Sequence, residues 1–493
     1  MRRDVFSLFA KHQAMNDLQA DARPAAAGLG GASQPRTPAG RLAGWLLAGL
    51  LAVFALVGAA GYLFAFPARA PIALARLVED VTGANPHPIT LARPADQPLS
   101  ALARIGEQIF HDRSLSVSGR QSCASCHSPE RSYGPPNNQP VQPGGALMTA
   151  QGFRPPPSLA YLYRQEVFGI GPSLDADAPV PLDQLAQQAQ AGTRANKVAG
   201  TSTAAAIVPH GGMFWDGRAD TLMAQATGPM LNPAEMGNTD LHAVVRRIAL
   251  TKYRNEFKPL FGEAVVDNPD LLFAEAMSAV ARYQIEARAF HRFDSKYDHW
   301  LEGKARLSRA EMRGLRLFND PAKGNCAACH LSQPGSDGMP PLFTDTEYEA
   351  LGVPRNAAIA ANRDPSFFDM GLCGPVRTDL ARQTQYCGMF LTPTLRNAAR
   401  RGVYFHNGVY HSLKQVLDFY NLRDVAPARI YPRDKTGKVL QYNDLPAGYR
   451  ANIDGADAPF GGKPGARAPL TDAEINDIIA FIGTLNDGST ASR

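Results

Sequence analysis

Apolar positions are arranged along this chain in three ways, and each predicts a different kind of element. From Leu42 to Phe66 they run together without a charge (LAGWLLAGLLAVFALVGAAGYLFAF), longer than the about 20 apolar residues that cross a bilayer. Elsewhere they recur at helical spacing. Gly106-Glu-Gln-Ile-Phe110-His-Asp112 and Gly314-Leu-Arg-Leu-Phe318-Asn-Asp320 read as short helices with one apolar face, and their likeness marks an internal repeat. The second copy opens at Leu307-Ser308, with Ser308 and Glu311 in capping-box spacing. Leu470-Thr471-Asp-Ala-Glu474 opens a further amphipathic segment that ends near Leu485. Ser412 caps another, whose Leu413, Val416, Leu417 and Tyr420 share one face. The third arrangement is no period at all, and 39 Pro and 44 Gly are consistent with long connections. Residues 22–40 read as disordered, 67–98 as a tether and 175–197 as a surface loop.

The predicted architecture is therefore mainly α with long loops, preceded by one N-terminal transmembrane helix. We divide it into a cytoplasmic tail (1–41), a transmembrane anchor (42–66), a linker (67–98), an N-terminal domain (99–300) and a C-terminal domain (301–493). The tail carries six basic against three acidic side chains, which by the positive-inside rule keeps it in the cytoplasm and sends the remainder outward. The competing reading is a cleaved signal, since Ala68-Arg69-Ala70 resembles an A-x-A site. The apolar run is, however, longer than the about 7–15 residues of a signal core. Without the tail, the net charge of +5 falls to +2, so nothing suggests nucleic-acid binding.

Chemistry enters with the cysteines. Four of the six lie in Cys123-Ala-Ser-Cys126-His127 and Cys326-Ala-Ala-Cys329-His330, each directly after one copy of the repeat. In C-x-x-C-H two thiols form thioether bonds to heme vinyl groups and the next His ligates the iron. A lone C-x-x-C is ambiguous with a redox pair or half a zinc site. Two copies, each followed by His, predict two covalently bound heme c groups in two cytochrome c-type domains. The remaining pair, Cys373 and Cys387, reads as a disulfide in an oxidising compartment, with reactive thiols as the alternative.

Between the two motifs stand Phe214-Trp215-Asp216-Gly217-Arg218-Ala219, Leu222, Gln225, Gly228-Pro229 and Asn232-Pro-Ala-Glu235-Met236-Gly237. Here the chain resembles the bacterial di-heme cytochrome c peroxidase and MauG family. Phe110-His-Asp112, Thr392-Pro-Thr-Leu395-Arg-Asn397 and Tyr404-Phe-His406-Asn-Gly408 extend the resemblance, which covers about residues 100–485. It implies that His127 carries the peroxide-reactive heme, under Glu235 as acid–base catalyst and with Gln225 and Pro229 lining the distal pocket. His330 carries the electron-transfer heme, and Trp215 lies between the two. A positioned carboxylate suits O–O cleavage, which needs a proton moved from one peroxide oxygen to the other. Asp216 and Arg218 read as a turn or internal ion pair.

The branch of the family turns on position 420. Reductively activated members place a Met fourteen residues after the His of the YFHDG-type motif; here that His is His406, and Tyr420 stands in the Met position. Met389 and Met370 are the alternative ligands. A tyrosine ligand makes the second heme MauG-like, and because a hard anionic oxygen stabilises ferric and higher-valent iron, it predicts a bis-Fe(IV)-type intermediate reached without reductive activation. The loop from Arg154 to Pro209 contains no His, and His210 is too close to Trp215 to swing onto the first iron, which predicts an open peroxide site. The resemblance also implies calcium held through backbone carbonyls near Arg400-Arg401-Gly402-Val403. That segment departs from the family's Thr and Pro, so no ligand is assigned.

The predicted function is reduction of hydrogen peroxide to water, with electrons from a small periplasmic donor such as a cytochrome c or cupredoxin, or from membrane quinol. The alternatives are a MauG-like oxidase acting on aromatic residues of a partner protein, and a di-heme electron-transfer cytochrome. The first alternative needs a surface relay, for which Trp300 is the free tryptophan. The predicted location is the bacterial inner membrane, single-pass, with the catalytic domains in the periplasm; a cleaved signal would make it soluble and periplasmic.

Overall fold

The computed structural model describes residues 70–172 and 207–490. The predicted tail, the anchor over 42–66 and the insertion over 175–197 lie outside the described residues. Among the described residues, no helix is long and apolar enough to cross a membrane. Within the predicted tether, Ala70–Thr82 is helical (α1). Its Glu79 and Asp80 pair with Arg316 at 3.0 and 2.6 Å, and the Gly83 carbonyl behind it accepts from Trp300 Nε1 at 3.1 Å. The tether reading missed this because an acidic pair declares itself as a docking site only when its arginine, over 230 residues away in sequence, is brought beside it.

Residues Ala73–Arg493 form one compact unit built mainly of helices. Those longer than a single turn are, in chain order, α2 (Ala101–His111), α3 (Leu222–Leu231), α4 (Leu241–Ile248), α5 (Pro269–Glu286), α6 (Lys296–Leu301), α7 (Arg309–Asn319), α8 (Leu413–Leu422) and α9 (Asp472–Gly483). Three short antiparallel ribbons interrupt the loops, pairing Pro143–Gly144 with Ala150–Gln151, Gly169–Pro172 with Ile207–His210, and Tyr348–Glu349 with Phe390–Leu391. Side chains satisfy the first N–H groups of the repeat helices: Ser100 caps α2, while Ser308/Glu311 and Thr471/Glu474 form reciprocal capping boxes on α7 and α9. The apolar faces then sort into two cores. Ile105, Ile109 and Phe110 of α2 pack with Leu272, Ala276, Ala279 and Val280 of α5. Met312, Leu315 and Phe318 of α7 pack with Ile475, Ile478 and Phe481 of α9. A smaller cluster gathers Tyr348, Leu372, Tyr386 and Met389 around the Cys373–Cys387 disulfide.

The repeat glycines explain how α2 and α7 reach their partners. A Cβ on Gly106 would sit 1.9 Å from the Ala279 carbonyl of α5, and one on Gly314 would sit 2.0 Å from the Asp477 carbonyl of α9. Both crossings bring backbone against backbone, which only glycine allows. Ala within a helix is ordinarily favoured over Gly by about 1 kcal/mol. We expect the clash to reverse that sign in Gly314→Ala, with a net loss of roughly 1–3 kcal/mol as for an overpacked core. Thermal unfolding of the holoprotein measures it; a raised midpoint would show that the two helices part freely.

Candidate functional site

The first C-x-x-C-H begins as a one-turn helix, Cys123–Cys126, held by a capping box between Ser122 and Ser125. His127 Nδ1 donates to the Tyr133 carbonyl at 3.0 Å. A carbonyl only accepts, so this bond places the proton on Nδ1 and leaves the Nε2 lone pair available to a metal. Burial holds the imidazole neutral by lowering its pKa to about 4. It also raises Cys123 to about 12 and Cys126 to about 11, with Cys126 and Glu235 adding to the first shift and Glu235 to the second. Thiols held this firmly in the protonated form make a poor redox pair.

These groups open onto a cavity of about 50 Å³ that Gln225, Pro229 and Glu235 also line. Helix α3 carries Gln225 and Pro229, and the turn after it carries Glu235. Glu235 Oε1 accepts from Asn232 Nδ2 at 2.6 Å. Its own carbonyl accepts from Gly145 N at 2.8 Å and from Gln121 Nε2. Burial pushes the Glu235 carboxyl above the usual carboxylate value, and the Arg218 charge and Asn232 amide pull it partly back. The sequence by itself assigns no role to Gln121, Asn232 or Gly144-Gly145. Their signal was the Gly-Gly pair: a Cβ on Gly144 would lie 2.1 Å from the Ala234 carbonyl, so this hairpin packs directly on the backbone that aims Glu235.

The second motif repeats the design. His330 Nδ1 donates to the Phe343 carbonyl at 2.9 Å, and burial lowers the imidazole to about 4 and raises Cys326 to about 12. Cys326, Cys329 and His330 line a cavity of about 270 Å³, together with Trp215 and Tyr420. All four residues predicted on the inner face of α8, Leu413, Val416, Leu417 and Tyr420, reach this wall. Burial drives the Tyr420 phenol above its usual value, with the Cys329 and Cys326 thiols adding to the effect; the oxygen would ionise only against a bound cation. Met389 and Met370 belong instead to the disulfide cluster and are not on the cavity wall.

Trp215 is not on the wall of the first cavity. A proline segment links it there: Trp215 Nε1 donates to the Pro155 carbonyl at 3.1 Å, and the Pro157 carbonyl interacts with His127. Asp216 is the internal ion-pair partner of Arg218 at 2.7 Å, and also of Arg154 at 2.7 Å. Arg154 in turn grips Asp369 at 2.6 Å. The role of Arg154 was not legible, because both of its carboxylates are distant in sequence. His210 Nδ1 lies 3.8 Å from a Glu166 carboxylate oxygen, and His210 is not on the wall of the first cavity.

Each cavity thus offers two thiols and one imidazole with its Nε2 free, which is the donor set that heme c requires. Residues 100–306 match the family described as "Di-haem cytochrome c peroxidase". Over 407 residues the chain is 32% identical to the methylamine utilization protein MauG of Paracoccus denitrificans, covering 80% of this chain and 90% of that protein. The chain belongs to the bacterial di-heme cytochrome c peroxidase and MauG family. It is also 26% identical over 345 residues to the cytochrome c551 peroxidase of Nitrosomonas europaea, covering 69% of this chain and 78% of that protein. Among solved structures it resembles the diheme peroxidase BthA of Burkholderia thailandensis, with 33% identity, TM-score 0.67, and coverage of 81% of this chain and 90% of that one. The protein is therefore a di-heme oxidoreductase with a mainly helical di-heme peroxidase fold, and membership of the family implies two heme c groups. Among the described residues, no group of three or more His, Cys, Asp or Glu side chains is placed to hold a metal ion.

Proposed function

We propose that this di-heme peroxidase reduces hydrogen peroxide to water at a heme bound by His127 and covalently attached through Cys123 and Cys126. Cys326 and Cys329 would attach a second heme, and His330 and Tyr420, on the wall of the same cavity, would supply ligands to its iron. The observation that carries this reading is the pairing in the first cavity of a half-buried carboxylate with a histidine whose Nε2 is free. Bound heme supplies the redox capacity for O–O cleavage. Glu235 takes a proton from one peroxide oxygen and returns it to the other, which leaves as water, so that two electrons and two protons convert one peroxide into two waters. Gln225 and Pro229 line the same cavity as Glu235 and would bound the space that peroxide enters. Trp215 couples the two sites through the Pro155–Pro157 segment. The electrons come from a small periplasmic cytochrome c or cupredoxin, or from quinol, and Leu42–Phe66 anchors the enzyme to the inner membrane.

A pure electron carrier needs no open space with a proton-transfer group beside its iron ligand, so the cavity that pairs Glu235 with His127 argues against that alternative. The partner-oxidising alternative loses its described tryptophan, because Trp300 is buried at 6% exposure and tied to Gly83. The test is to mix fully ferric enzyme with one equivalent of hydrogen peroxide and follow the visible and near-infrared spectrum. A rapid high-valent change without reductant is the expected result. A change only after one heme is reduced would place the enzyme in the gated, methionine-ligated branch. No reaction in either state would leave only electron transfer.

A further inference from the structure

Arg401 is half-buried, and its lack of a carboxylate partner sets it apart from four other arginines. Arg154, Arg377, Arg396 and Arg423 each pair with at least one carboxylate. For Arg401, among the described residues, the polar partner of the side chain is the Arg396 carbonyl, which accepts from one terminal nitrogen at 3.0 Å. Its Nε is shut off from solvent with no hydrogen-bond partner. The Tyr404 hydroxyl donates to the Ala398 and Arg401 carbonyls at 3.1 and 2.7 Å and, as a neutral phenol held above its usual value by burial, brings no negative charge to the guanidinium. A guanidinium in such a setting destabilises the fold unless an anion meets it.

The side chain lines the cavity that holds His330, Cys326 and Tyr420. Five carboxylates line the same cavity, Glu349, Asp369, Asp444, Asp454 and Asp457. Asp369 is engaged with Arg154, and Asp444 with Arg355 and Asn407, and among the described residues none of the five forms an ion pair with Arg401. An anion for Arg401 can instead arrive with what the cavity binds, and heme carries two propionate carboxylates. We propose that Arg401 is the counter-ion of a propionate of the heme ligated by His330. The inference rests on the assignment of a heme to that cavity. Its physical consequence is electrostatic. A fixed cation beside the heme favours the reduced iron, which carries one positive charge fewer, so Arg401 raises that heme's potential against the pull of Tyr420. The forked guanidinium also fixes the carboxylate in direction, where a point charge would not.

The test uses the holoenzyme as wild type, Arg401→Lys and Arg401→Met, with heme counted first by pyridine hemochrome and both hemes then titrated spectroelectrochemically. Two hemes per chain are expected. Arg401→Met should lower the midpoint potential of the His330 heme and leave the other unchanged, and Arg401→Lys should keep most of the wild-type value. An unshifted His330 heme in Arg401→Met, or a shift confined to the His127 heme, overturns the proposal. A single heme per chain sinks the underlying assignment instead. Should Arg401→Met fail to assemble, resonance Raman of the wild type decides: the propionate-bending band is expected at the position of an ion-paired carboxylate, and a band of free propionates on both hemes refutes the pairing.

Discussion

Replacing Glu235 by Gln slows peroxide reduction by about 10²–10⁴-fold, the usual worth of a positioned proton-transfer group. That corresponds to roughly 3–5 kcal/mol of transition-state stabilisation. The substitution keeps the shape of the side chain and the acceptor oxygen that meets Asn232 Nδ2, so both hemes should bind as in the wild type. It removes only the ability to take and return a proton. The sign of the pH dependence follows from burial, which holds the carboxyl above the ordinary value. Because the ionised form must act first, kcat/KM should rise with pH along a limb lying above the usual glutamate range near about 4.3, and Glu235→Gln should lack that limb. Steady-state peroxide turnover across acid to neutral pH measures both. Near-normal turnover in the variant, with heme content intact, would remove Glu235 from the mechanism.

Tyr420→Met carries the second large effect. Axial ligands spread heme potentials over roughly 0.8 V, and exchanging a hard phenolate for a thioether moves toward the ferrous-stabilising end. The variant should show a markedly raised potential at one heme, and should react with peroxide only after that heme has been reduced. Ferric wild-type enzyme should need no such step. The site suits the exchange, because Tyr420 lies on the inner face of α8 against the wall shared with His330. Tyr420 also stacks on Phe460 at 5.3 Å between ring centres, which gives the side chain a fixed direction. Tyr420→Phe supplies the control: an unchanged low-spin spectrum would mean that another residue is the ligand.

Much of the site was legible because its residues are short-range. C-x-x-C-H places two thiols and an imidazole within a single turn, so local geometry suffices to bring Cys123, Cys126 and His127 together, and likewise Cys326, Cys329 and His330. The apolar period of α8 predicted the face that carries Tyr420, since a helix converts spacing into direction without outside help. The capping boxes of α7 and α9 are local for the same reason. What tertiary structure alone decided is long-range and electrostatic. Arg154 joins Asp216 and Asp369 across 62 and 215 residues, and Gly145 braces the Glu235 carbonyl from a hairpin 90 positions upstream. Glu79 and Asp80 turn a predicted tether into a docked helix by meeting Arg316. Arg401 looks in sequence like one more basic residue in a loop. Only the folded chain places its side chain on the wall of the cavity that holds His330, in no ion pair with a described carboxylate, because the cost of burying a charge depends on what the fold brings beside it.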